Sequence, residues 1–207
     1  MLAVENTLLV LLAAGKSQRF GDIGSKLDQE FLGKPLGLHV AVALEDMPFR
    51  ERLAVIGGQE LDYARHGFRV EHNPDREAGM ATSVQIGVRR AQELGAEAVL
   101  IALADMPRVT AAHIYRIFDA SEGDMTVVAS SDGVAPKPPA LFGSGQFQCL
   151  LDLAGDTGAR ELVKGGRHVV TTPAELIDVD TPGELERLRA LVHAPDAITR
   201  VEERPST

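Results

Sequence analysis

The sequence predicts an α/β fold built on a largely parallel sheet. Two observations carry this. Residues 7–14 and 98–104 are unbroken apolar runs, the pattern of strands buried on both faces where helices cover a parallel sheet from either side. Between and around them, strand-like and helix-like segments alternate, as successive βαβ units require.

The elements follow in order. The first run stops at Gly15, and a loop rich in Gly, Lys, Ser and Arg continues to about Pro35. Leu36, Val40, Ala43, Leu44 and Met47 then repeat at helical spacing. Residues 53–56 read as a second strand ended by Gly57 and Gly58, and residues 68–71 as a third. Val84, Val88, Ala91 and Leu94 form the stripe of a helix that begins near Ala81. After the run 98–104, Asp105 stands at a strand's carboxyl end. Thr110 is placed to cap a helix carrying Ile114, Ile117 and Phe118. Residues 125–129 and 169–171 look like further strands, while residues 137–142, with Pro138 and Pro139, read as a rigid structural loop, with the lining of an acceptor pocket as the alternative. Thr181, Pro182 and Glu184 form a helix start: N-cap, first-turn proline and capping-box glutamate. Leu185, Leu188 and Val192 continue that helix. One domain is expected over residues 1–193, followed by a loosely ordered tail, 194–207, that lacks apolar periodicity.

Charge narrows the partners. Lys and Arg number 21 against 30 Asp and Glu, so the formal net charge is −9. Nucleic acid and anionic membrane both call for a basic surface and are therefore not expected partners. A nucleotide is compatible, because a few local cations and backbone N–H groups suffice for a triphosphate. Cys149 is the single cysteine and is expected to be a packing residue rather than a catalytic thiol. The six histidines show no paired metal spacing. The first apolar run is too short to span a bilayer and follows Glu5 rather than a basic segment, so a cytoplasmic location is expected.

Five constellations bear on chemistry. In Leu12-Ala13-Ala14-Gly15-Lys16-Ser17-Gln18-Arg19-Phe20-Gly21, a strand runs into small residues, which lets a ligand approach the backbone, and Arg19 and Lys26 add positive charge for a polyphosphate. It is neither a Walker motif, since Val10 stands where the first glycine belongs, nor a dinucleotide fingerprint, since Ser17 stands where the second does. An ordinary strand-to-helix turn is the alternative. Asp105-Met106-Pro107 places a carboxylate at a strand end, suited to Mg²⁺ beside substrate phosphates or to capping a turn. In Asp178-Val179-Asp180, alternation puts both carboxylates on one side of a short strand, as a second metal ligand or as acidic neighbours of a helix start. Asn73 with Gly79, Met80, Thr82 and Ser83 forms a loop entering a helix, suited to base or ribose recognition or to capping. Gly155-Asp156-Thr157-Gly158-Ala159-Arg160 is a Gly-rich turn before a helix, suited to an acceptor phosphate or simply to reversing the chain.

Taken in order, these five motifs resemble the MobA-like nucleotidyltransferase family, and most closely its molybdenum cofactor cytidylyltransferase branch, over residues 7–192. The resemblance implies a Rossmann-like three-layer sandwich of the nucleotide-diphospho-sugar transferase type. It implies Mg²⁺-dependent transfer of CMP, or less readily GMP, from the nucleoside triphosphate to molybdopterin, with release of pyrophosphate and a molybdoenzyme as a further partner. Leu12, Ala13, Ala14 and Gly15 would hold the base, Arg19 and Lys26 the triphosphate, with Asn73, Gly79 and Ser83 also at the nucleotide. Asp105 and Asp180 would bind the metal, and Arg19, Lys26 and Asp105 would be the catalytic set. The guanylyl branch usually carries Gly where Ala14 stands, which favours CTP.

Two departures accompany the match. Lys26 follows Gly21 by five positions rather than three, and Ala104 replaces a Gly before the acidic residue. The longer loop also resembles cytidylyltransferases of isoprenoid biosynthesis, which makes a sugar- or polyol-phosphate cytidylyltransferase the second reading. A non-catalytic nucleotide- or cofactor-binding module is the third.

Overall fold

The computed structural model describes residues 1–15, 20, 25–58, 61–155 and 159–193. Arg19 and the expected tail, 194–207, lie outside them. The first strand, β1 (Thr7–Ala13), is buried along its whole length. A small antiparallel hairpin follows, β2 (Glu30–Phe31) and β3 (Lys34–Pro35), then a 3₁₀ turn and a short helix α1 (His39–Leu44). Next come β4 (Glu51–Ile56), β5 (Arg69–His72), the long helix α2 (Met80–Leu94) and β6 (Ala98–Leu103). The second half holds α3 (Ala111–Asp119), β7 (Val127–Ser131), β8 (Pro136–Gly143), α4 (Phe147–Leu151), α5 (Arg160–Gly165), β9 (Arg167–Val170) and α6 (Pro182–His193).

The described strands form a seven-stranded sheet in the order β5-β4-β1-β6-β8-β7-β9. Every neighbouring pair is parallel except the two made by β8, which runs against both β6 and β7. This is the mostly parallel sheet expected. Side chains alternate along a strand, so β1 feeds two cores. Leu9 and Leu11 face the layer of α1 and α3, where Val40, Leu44, Ile114, Ile117 and Phe118 are buried. Leu8, Val10 and Leu12 face Val84, Val88 and Ala91 of α2 with Phe147 and Leu150 of α4. Fully burying one such leucine is worth roughly 1.5–3 kcal/mol, which makes these two layers the main source of stability. A third cluster, Phe31, Leu36, Val179, Leu185 and Leu188, fastens α6 over the hairpin.

Some expectations are corrected. Residues 137–142 belong to strand β8 and not to a loop. The prolines crowd its first half, beside a register shift in β7, while Ala140, Leu141 and Phe142 make a regular buried ladder with β6. Residues 177–180 lie outside any strand. Cys149 is exposed: α4 turns Phe147 and Leu150 into the core and leaves the cysteine on the solvent side. The Thr110 and Thr181 caps form as expected, Thr110 Oγ1 accepting from the His113 N–H and Thr181 Oγ1 from the Glu184 N–H. No helix among the described residues is long and apolar enough to cross a membrane.

Candidate active site

From β1 the chain moves outward to β4 and β5, then returns through α2 to β6 on the other side of β1. The carboxyl ends of β1 and β6 therefore diverge at a topological switch point, where an open parallel sheet leaves a crevice for ligands. A cavity of about 300 Å³ occupies that crevice. Leu12, Ala13, Ala14 and Gly15 wall it from β1, Leu103 and Asp105 from β6, and Gly79, Met80 and Ser83 from the start of α2. Lys26 and Leu27 close one side and Arg76 another.

Local chemistry explains the shape. The Ala104 N–H donates to the Leu12 carbonyl at 3.1 Å, which ties the two strand ends together below the turn. Gly57, at the end of β4, lies so close to the turn that a Cβ there would come within 2.8 Å of the Ala14 carbonyl oxygen. Gly79 adopts φ 102°, a backbone conformation costly for any side chain, and from it α2 begins. The amino end of that helix, with its positive dipole, faces the cavity. Arg76 donates to the Gly57 carbonyl beside the Ala14 turn.

The Asn73 side chain is committed within the protein. Its amide donates to Thr82 Oγ1 and Ser83 Oγ, both at 2.8 Å, and its carbonyl oxygen accepts from the Asp75 N–H at 2.9 Å. It is buried, and it braces the loop that delivers Gly79 and Ser83 to the cavity.

The charged floor joins three distant parts of the chain. Lys26 Nζ lies 2.6 Å from Asp105 Oδ2 and 2.8 Å from Asp180 Oδ1. The Val179 N–H donates to the Asp105 carbonyl at 3.0 Å, which brings the 178–180 segment to the end of β6. Glu184 secures it by accepting from the Asp180 N–H at 2.9 Å. Burial pushes the Asp105 carboxyl above the usual carboxylate range, against the pull of the Lys26 charge. Burial would lower the Lys26 ammonium, but the charge of Asp105 and hydrogen bonds to both carboxylates outweigh it and hold the lysine protonated. Asp105 Oδ1 is buried with no hydrogen-bond partner among the described residues. Two carboxylates converging on one cationic position, one with an unsatisfied oxygen, fit an oxygen-preferring divalent cation that keeps its remaining sites for water and phosphate.

The structure thus brings together Leu12, Ala13, Ala14, Gly15, Lys26, Gly79, Ser83, Asp105 and Asp180, with Asn73 immediately behind. Asp178 is exposed at the edge. In the Gly-rich turn, Gly155 accepts from the Ala81 N–H at 3.3 Å, and residues 156–158 lie outside the described set. Arg76 is a lining residue that motif reading passed over as a site candidate. The signal for Arg76 was a cation three places after Asn73.

These features define an α/β protein whose switch-point cavity has an acidic, lysine-paired floor. The chain belongs to the MobA-like NTP transferase family, whose domain model matches residues 9–172, and it is accordingly a nucleotidyltransferase by family. It is 32% identical over 197 residues to the purine catabolism protein PucB of Bacillus subtilis (strain 168), covering 87% of this chain and 94% of that one. It is 31% identical over 123 residues to the phosphoenolpyruvate guanylyltransferase of Rubrobacter xylanophilus, covering 54% of this chain and 57% of that one. A crystal structure of Rv0371c from Mycobacterium tuberculosis in complex with manganese superposes with a TM-score of 0.68 at 26% identity, over 89% of this chain and 98% of that one.

Proposed function

We propose that the protein transfers CMP from CTP to a molybdopterin-type acceptor and releases pyrophosphate, with Mg²⁺ as the metal. The observation that carries this is the convergence of Asp105 and Asp180 on Lys26 at the floor of the switch-point cavity. A phosphate oxygen of the acceptor attacks the α-phosphorus of the nucleotide; one P–O bond forms as the bond to pyrophosphate breaks. Both partners are anions, so alignment and charge neutralisation matter more than proton transfer, and a phosphate nucleophile needs no strong base.

The chain's own residues supply these needs. The Leu12–Gly15 turn and the amino end of α2 form the walls against which base, ribose and phosphates lie. Lys26 steadies the departing pyrophosphate, as Arg19 does in the reading from resemblance. Asp105 and Asp180 would hold the metal. A divalent cation there supplies charge neutralisation at the phosphate oxygens. The manganese complex of Rv0371c supports a divalent metal as a ligand of this chain.

Ala14, where the guanylyl branch carries Gly, favours cytidine. The guanylyltransferase relative supports a second reading, GMP transfer, over about half of the chain. Pyrophosphate release measured with molybdopterin and each of CTP, GTP and ATP separates them. The proposal expects release with CTP and little with the others. A GTP preference replaces the base assignment, and no release with molybdopterin and any nucleotide removes the acceptor assignment.

A further inference from the structure

We propose that Lys26 is the resident counter-ion of the cation site and that a divalent cation enters by displacing it. This rests on the reading of Asp105 and Asp180 as the metal-holding pair. Asp105 ends a buried strand and is largely withdrawn from solvent, with a side chain 19% exposed. A carboxylate in that setting is costly without a cation beside it. The Lys26 ammonium, its side chain 9% exposed, fills that need by touching Asp105 Oδ2 and Asp180 Oδ1 together. A metal ion taken by the same two oxygens occupies the position the ammonium holds, and two cations do not share it.

The consequence is coupling between ligands. Metal alone must expel a lysine that is paired with both carboxylates at once. With a nucleoside triphosphate present, the released ammonium gains phosphate oxygens along the wall it already lines. Metal and nucleotide therefore strengthen each other's binding, and the enhancement is reciprocal. Lys26 offsets one of the two carboxylate charges until a metal binds and becomes a phosphate ligand only when substrate arrives.

The test is Mn²⁺ binding to the nucleotide-free protein, read from the loss of the free-ion electron paramagnetic resonance signal. Lys26→Met is expected to bind Mn²⁺ at least about 10-fold more tightly than the parent protein, and adding Asp105→Asn is expected to abolish the gain. Equal or weaker binding by Lys26→Met overturns displacement and leaves the metal site itself standing, with the ion beside the lysine on Asp105 Oδ1. No Mn²⁺ binding to either protein, with or without CTP, removes both the metal-site reading and this inference. Lys26→Met strips a buried carboxylate of its partner, so a second measurement uses the parent protein alone. Acylation of Lys26 by an amine reagent, followed by peptide mass spectrometry, is expected to rise several-fold on adding Mn²⁺. Unchanged labelling at saturating Mn²⁺ contradicts displacement.

Discussion

Lys26 and Asp105 stand 79 residues apart in the chain and 2.6 Å apart in the fold. Their pairing makes the hairpin side of the cavity and the end of β6 one electrostatic unit, with Asp180 as its third member. Loss of the lysine leaves two carboxylates facing each other at a poorly solvated point. Loss of Asp180, whose side chain is 42% exposed, leaves the lysine still paired with Asp105. Lys26→Met is therefore expected to cost about 3 kcal/mol, at the low end for a broken buried pair because Asp105 can protonate. Asp180→Asn should cost much less. Urea denaturation at neutral pH compares them, and equal losses would contradict this assignment of burden.

Asn73 predicts a combined effect on stability and binding. Three hydrogen bonds from one buried side chain hold the loop before α2, and Asn73→Ala leaves the Asp75 N–H and two hydroxyls to find other partners. A loss of about 2 kcal/mol is expected, given roughly 1–3 kcal/mol for each buried polar group left unsatisfied, with water rescuing some. KM for the nucleotide should rise more than kcat falls, because the side chain acts through Gly79 and Ser83. A large fall in kcat with unchanged stability would instead place Asn73 at the reacting atoms.

Stability should depend on pH through His113. This side chain is fully buried; its Nδ1 accepts from Arg116 at 3.1 Å, so Nε2 carries the proton and donates to Ser130 Oγ at 2.7 Å. Ser130 in turn donates to the Pro139 carbonyl at 2.8 Å. Burial lowers the His113 pKa, and burial likewise lowers that of His39, whose Nε2 bonds the Phe31 carbonyl at 2.7 Å. The unfolded chain then binds more protons than the folded one just below the ordinary histidine pKa of about 6.5, so stability is full above that value and falls as pH drops through it. Denaturation midpoints between pH 7.5 and 5 should decline, and His113→Gln should flatten the slope. An unaltered slope in that variant would mean His113 is not the group that titrates.

Legibility in the sequence followed the range of the interactions. The strands β1 and β6, the helix α2 and the Thr110 and Thr181 caps are local patterns, set by apolar runs, helical spacing and side chains a few residues from the groups they satisfy. The chain positions of Asp105 and Asp180 could be read as strand-end and helix-start acids, but not that both close on Lys26, because that contact depends on how distant segments are laid across the sheet. Strand β8 was hidden by its prolines, although Ala140, Leu141 and Phe142 carry the pattern of a buried strand. Cys149 misled because free cysteines are usually buried, whereas the faces of α4 were decided by Phe147 and Leu150.

The central claim is that the acidic floor of this cavity performs nucleotidyl transfer. The most direct measurement is turnover of Asp105→Asn against the parent protein, under conditions where both are shown to be folded, with CTP, Mg²⁺ and the molybdopterin acceptor. Removing one preorganised charge-stabilising group predicts a fall in kcat of at least about 10²-fold. A near-normal rate would contradict the account, because the residue whose carboxylate pairs with Lys26 and whose backbone carbonyl holds the 178–180 segment at the end of β6 would then have no part in the chemistry.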